Sequence, residues 1–151
     1  MDIAEFLTAR FNEEYADAIA AQEADPAPWR DDTTDSGSTN ERSALGSGLV
    51  IAGDHTALWD CEGSSTLCMT APTARHVARW DPAHVLREVE AKRAIIRQYV
   101  DAVTAADEEK FDEQGYVADG IVLALGAVLE HLAAPYAGHP DFEPRWWKPG
   151  Q

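Results

Sequence analysis

Cysteine is nearly missing from the chain: Cys61 and Cys68 are the only two among 151 residues. Two thiols cannot build the disulfide framework on which small secreted domains depend, so such a scaffold is excluded. Basic side chains are also few. Nine Arg and three Lys stand against 27 Asp and Glu, for a formal net charge of -15. Nucleic-acid backbones and anionic lipid surfaces are held by clustered cations, so this balance argues against either as the direct ligand. Long hydrophobic runs are absent too. The most apolar stretch, Ile121 to Leu129, lies between Asp119 and Glu130-His131 and is far shorter than the roughly 20 residues of a membrane span. The opening Met1-Asp2-Ile3-Ala4-Glu5 has no basic region ahead of an apolar core, so no secretory leader is read there and a cytoplasmic location is expected.

What is present is enough apolar material to fold. Hydrophobic residues make up 45% of the chain, which separates it from a disordered acidic tail. The length fits one domain over residues 1–151. Ile3, Phe6, Leu7, Phe11, Tyr15 and Ile19 recur at spacings of three and four, one stripe of an amphipathic helix. Asp2 and Glu5 form a capping-box pair at its start. Asp25-Pro26 and Pro28 end it near Ala24. Residues 30–43 contain no large apolar side chain and read as an exposed loop, with Trp29 anchoring its edge on the core.

A small antiparallel meander is expected next. Leu49 to Ala52, His55 to Cys61 and Thr66 to Thr70 are the strands, with Gly53-Asp54 and Glu62 to Ser65 as turns. A short helix over Ala74 to Trp80 precedes Asp81-Pro82, a cap followed by Pro at the first helical position. The helix after it carries Val85, Val89, Ile96, Val100 and Val103 on one stripe and runs to about Ala106. Residues 107–115, with Asp107, Glu108, Glu109, Asp112 and Glu113, read as a solvated connector in preference to a Mg²⁺ or acid/base site. The last helix, from about Val117 to Ala134, is apolar on most faces, so it belongs in a core or in an oligomer contact. Pro135 ends it, and the aromatic tail is expected to pack back as an extended strap. The fold class is therefore α+β: three main helices, a small antiparallel β-meander and the C-terminal strap.

Two stretches resemble a known family. One runs from Ala74 through Arg79-Trp80-Asp81-Pro82 to Arg93; the other from Leu132 through Pro135-Tyr136 and His139-Pro140-Asp141-Phe142, followed by Trp146. With the opening acidic helix, Ile3 to Tyr15, they resemble the uncharacterised family of actinobacteria and their phages catalogued as domain of unknown function 6221. The resemblance implies an actinobacterial or actinophage origin and a compact α+β domain. It carries over no catalytic residue. Some members have cysteines before the last helix; this chain has none there, so a metal site of that kind would be missing.

Charge is uneven along the chain. Residues 1–70 are net -11, whereas residues 75–97 hold six bases and three acids. Arg75, Arg79, Arg87 and Arg93 in that segment are candidate anion-binding residues, against internal pairing with the acidic half. His55, Cys61, Cys68 and His76 form an H-x5-C-x6-C-x7-H series of zinc-ligand types, but without the close pairs that a finger or knuckle uses. A Cys–His thiolate pair from the same residues lacks any known nucleophile signature. Gly46-Ser47-Gly48 lacks the following helix and Lys of a phosphate loop. No cofactor is expected. Tyr136, His139, Phe142, Trp146 and Trp147 supply more aromatic surface than a short tail needs, so they either cover the last helix or meet a partner. The resulting expectation is a small acidic, non-enzymatic accessory protein that binds a protein partner or a second copy. Its acidic surface can serve as a nucleic-acid mimic in a regulator or inhibitor. The alternative is a small metal-binding protein or enzyme built on His55, Cys61, Cys68 and His76.

Overall fold

The fold was analysed on a computed structural model, which describes residues 1–34, 47–52, 56–59, 69–108 and 113–146. In chain order the elements are α1 (Ile3–Ala24), β1 (Trp29–Thr34), β2 (Ser47–Ala52), β3 (Thr56–Trp59), β4 (Met69–Thr70), α2 (Ala71–Arg79), α3 (Pro82–Glu108) and α4 (Glu113–Ala133). Two short 3-10 turns follow, Ala134–Tyr136 and Pro144–Trp146. The chain's contacts gather into two compact units: residues 1–14 with 89–151, and residues 15–88.

In the first unit, α1 starts where Asp2 and Glu5 cap each other reciprocally. The Glu5 amide donates to Asp2 Oδ1 (2.8 Å) and the Asp2 amide to Glu5 Oε2 (2.9 Å). The box satisfies amides that no helical carbonyl can reach. The apolar stripe then turns inward, and Phe6, Leu7 and Phe11 are fully buried. Val89, Ile96 and Ala102 from α3, Ala118, Leu129 and Ala133 from α4, and Trp146 are buried in the same unit.

The second unit is built on β2. β1 runs antiparallel along one edge from Trp29↔Ala52 to Thr34↔Ser47. β3 (Val50↔Trp59, Ala52↔Thr56) and β4 (Gly48↔Met69) share the other edge, with an irregularity at Val50/Ile51. Val50, Ala74 and Ala78 form the buried cluster, and Trp29 and Val77 pack against it. Trp29 is held at both ends: its Nε1 donates to the Asp25 carbonyl (2.8 Å) and its amide to Asp81 Oδ2 (3.4 Å). Asp81 Oδ1 accepts from the His84 amide (2.7 Å), so one carboxylate caps α3 and fixes the entry of β1.

These elements overturn the α+β class expected from the sequence. Four helices dominate: the three main ones and the short one expected over Ala74 to Trp80, which runs Ala71–Arg79. The strands are only two to six residues long and make no meander, because β4 pairs with β2 and not with its chain neighbour β3. Short apolar runs indicate strand character but not partner, which is why sequential pairing misled. Residues 30–34, read as loop, lie in β1: backbone pairing to β2 needs no apolar side chain. The tail is not an extended strap. It coils through successive turns, with the His139 amide donating to the Tyr136 carbonyl (2.8 Å) and the Phe142 amide to the His139 carbonyl (3.0 Å). α4 begins at Glu113, inside the expected connector. The two expected hairpin turns and residues 35–43 of the expected loop lie outside the described residues.

Candidate functional site

The aromatic tail closes around Phe6. The Phe6 ring meets Trp146 at 4.8 Å between centroids, His139 at 5.7 Å, and Tyr136 and Phe142 at 6.1 Å each. Most of these meetings are edge-to-face, the arrangement that the ring quadrupoles favour. Arg10, one turn further along α1, lies 5.5 Å above the Phe6 ring. It is buried, donates through Nη2 to Glu13 (2.7 Å) and through Nη1 to the His139 ring, and leaves its Nε without a partner among the described residues. The Tyr136 hydroxyl donates to the Glu14 carboxylate, and the Asp141 amide donates to His139 Nδ1 (3.1 Å). Tyr136, His139, Phe142 and Trp146 are thus brought together at α1; Trp147 lies outside the described residues.

The arrangement ties the N-terminal helix to the tail, two of the stretches that carry the resemblance. A family model, Family of unknown function (DUF6221), matches residues 1–148. The chain belongs to this family. No curated protein and no solved structure gives a significant match to this DUF6221 chain.

The basic segment divides between the units. Arg75 and Arg79 on α2, and Arg87 on α3, are exposed and make no ion pair among the described residues. Arg93 is half-buried; it donates to Glu90 (2.9 Å) and to Asn12 Oδ1 (2.7 Å). Beside the α2 arginines, Trp80 is 43% exposed, with His84 4.9 Å away and His76 6.3 Å away between ring centroids. His76 is the one member of the expected zinc series among the described residues, since His55, Cys61 and Cys68 lie outside them. No group of three or more metal-ligating side chains occurs among the described residues. Asp107 and Glu108 end α3 and are exposed; Glu109 and Asp112 lie outside the described residues.

The largest anomaly is α4. Its buried line is narrow: Gly115, Ala118, Leu129 and Ala133 among the described residues. Large apolar side chains stand in solvent on the other side, with Leu123 80% exposed, Tyr116 74% and Val117 59%, and Ile121 and Val128 exposed as well. Over Gly115–Tyr136 the mean hydropathy reaches 1.7 while 17% of the window is buried, so the helix has the length and composition of a membrane span. That exceeds the nine-residue apolar stretch visible in the sequence, because Tyr116 to Gly120 and the alanines around Leu132 extend it. Next to this face, α3 and α4 leave a groove of about 600 Å³. Ala102 and Ala105 form one wall, Val117, Ala118, Ile121 and Ala124 the other, and Asp101 is its carboxylate. Periodicity read α4 as apolar on most faces but could not show which of those faces is exposed.

Proposed function

We propose that this protein is a small, acidic, non-enzymatic accessory protein of the cytoplasm that acts by binding protein through the exposed face of α4. The observation that carries the reading is that Tyr116, Val117, Ile121, Leu123 and Val128 all stand in solvent on one helix. Such side chains contribute nothing to the fold of a lone chain and cost solubility, whereas the centre of a protein interface is where large apolar side chains are retained. The acidic balance supports a protein ligand over a nucleic acid, because phosphate chains are held by clustered cations and the chain has 12 Lys and Arg against 27 Asp and Glu.

The test is affinity capture with the purified chain as bait, compared with Leu123→Asp and Tyr116→Glu. Both positions are exposed, so neither change disturbs a packed core. Capture of a protein by the intact chain, lost with both variants, is the expected result. Capture that survives both substitutions would remove α4 from the binding function.

A further inference from the structure

We infer that α2 and the opening turns of α3 form a second docking surface, built from Arg75, Arg79, Trp80 and Arg87, that takes a carboxylate-rich segment of a partner protein. The inference does not rest on α4. All four residues belong to the second unit, whereas α4 lies in the first.

Charge picks out the patch. The whole chain has 27 Asp and Glu against 12 Lys and Arg. From Pro72 to Arg87, however, Arg75, Arg79 and Arg87 are the only exposed residues with a full charge. The acid within that stretch, Asp81, is half-buried and already accepts from the Trp29 and His84 amides. The next acid, Glu88, faces His84 at 4.0 Å. The three arginines are thus left without an ion pair among the described residues. Arg75 and Arg79 stand one helical turn apart, a spacing at which like charges weaken a helix. An anion between them removes that cost, and the planar guanidinium fork matches a carboxylate in two parallel hydrogen bonds.

Trp80 gives the patch an apolar centre. It is 43% exposed, yet its ring meets His84 edge-to-face at 4.9 Å and His76 at 6.3 Å. Arg79 adjoins it in the chain, and Arg87 neighbours His84 on the surface of α3. Trp and Arg are the side chains over-represented among those that dominate protein interfaces. The complementary ligand is therefore a polypeptide that mixes carboxylates with apolar side chains. A long phosphate chain fits less well. Its line of charge continues past three arginines over a molecule of net charge -15, whereas an acidic segment can end where the arginines end. At physiological salt the screening length is about 8 Å, so carboxylates at the patch feel its arginines more than the distant acids.

Fluorescence anisotropy of labelled probes with the full chain, at physiological salt, is the experiment. The probes are a peptide of repeating Glu-Glu-Leu, one of repeating Lys-Lys-Leu, and oligothymidylate. The expected result is that the Glu-Glu-Leu peptide binds most tightly. Arg75→Glu combined with Arg87→Glu, with circular dichroism unchanged, is expected to weaken it by at least about tenfold, and Trp80→Ala to weaken it as well. Should the charge reversals lose the fold, Arg75→Gln with Arg87→Gln replaces them with the same direction of change. Leu123→Asp is expected to leave the peptide affinity unchanged, which separates this surface from α4. Three results overturn the inference: a Glu-Glu-Leu peptide bound no more tightly than Lys-Lys-Leu, binding indifferent to the arginine substitutions, and peptide binding lost with Leu123→Asp. Arginine-dependent binding of oligothymidylate above the acidic peptide also overturns it, in favour of a phosphate chain.

Discussion

Phe6 joins the aromatic tail to α1 in the first unit. It is fully buried, and four rings and a guanidinium surround it. Phe6→Ala removes the ring against which the tail is folded and leaves a cavity among aromatics. The expected cost is about 3–5 kcal/mol, read as a lowered midpoint in chemical denaturation. A loss below about 1 kcal/mol would mean that the tail is not held by this cluster. The position was legible from the helical stripe, because Phe6, Leu7 and Phe11 share its inward face. Its neighbours were not: Tyr136 and His139 lie some 130 residues away, and no local rule links them to Phe6. Arg10 was invisible for a related reason. A lone Arg on an acidic helix reads as solvated; the Phe6 and His139 rings and the Glu13 carboxylate together make its burial tolerable.

Among the elements, helix ends follow short-range chemistry and helix neighbours do not. Asp81 was readable as a cap because Pro82 follows it, and its carboxylate does accept from the His84 amide at 2.7 Å. Asp81→Ala is expected to cost about 1–2 kcal/mol, with Asp81→Asn losing less because an amide oxygen can still cap. Thermal denaturation of the two variants measures the difference, and equal losses would locate the effect outside the cap. Gly120 offers a second test within α4. It is exposed, has no neighbour that a methyl would strike and sits in a helix interior. Gly120→Ala is therefore expected to stabilise the folded chain by about 0.5–1 kcal/mol in dilute solution. A destabilisation there would show that the surface around Gly120 is occupied. The strands were the least legible elements. β4 is two residues long, and its place beside β2 depends on non-local pairing that apolar runs do not encode. β1 carries Asp31, Asp32, Thr33 and Thr34, a composition that reads as loop until backbone pairing to β2 is seen.

For the whole molecule, the excess of 15 negative charges means that self-repulsion opposes compaction. Raising NaCl from about 20 mM to about 200 mM shortens the screening length severalfold and is expected to raise the melting temperature. A falling melting temperature would show that ion pairs such as Lys92–Glu14 (3.5 Å) outweigh the repulsion. The amino-acid sequence by itself determined the helix periods, the caps at Asp2 and Asp81, the acidic character and the membership of an uncharacterised family, since all of these depend on neighbours within a few residues or on composition. Tertiary structure alone decided that the tail coils onto Phe6, that β4 joins β2, and that α4 keeps Leu123 and Tyr116 in solvent. The physical reason is that burial is a property of which surfaces meet. A helix that is apolar on most faces has the same periodicity whether its second face is covered or bare, and only the placement of its neighbours separates a core helix from an exposed one.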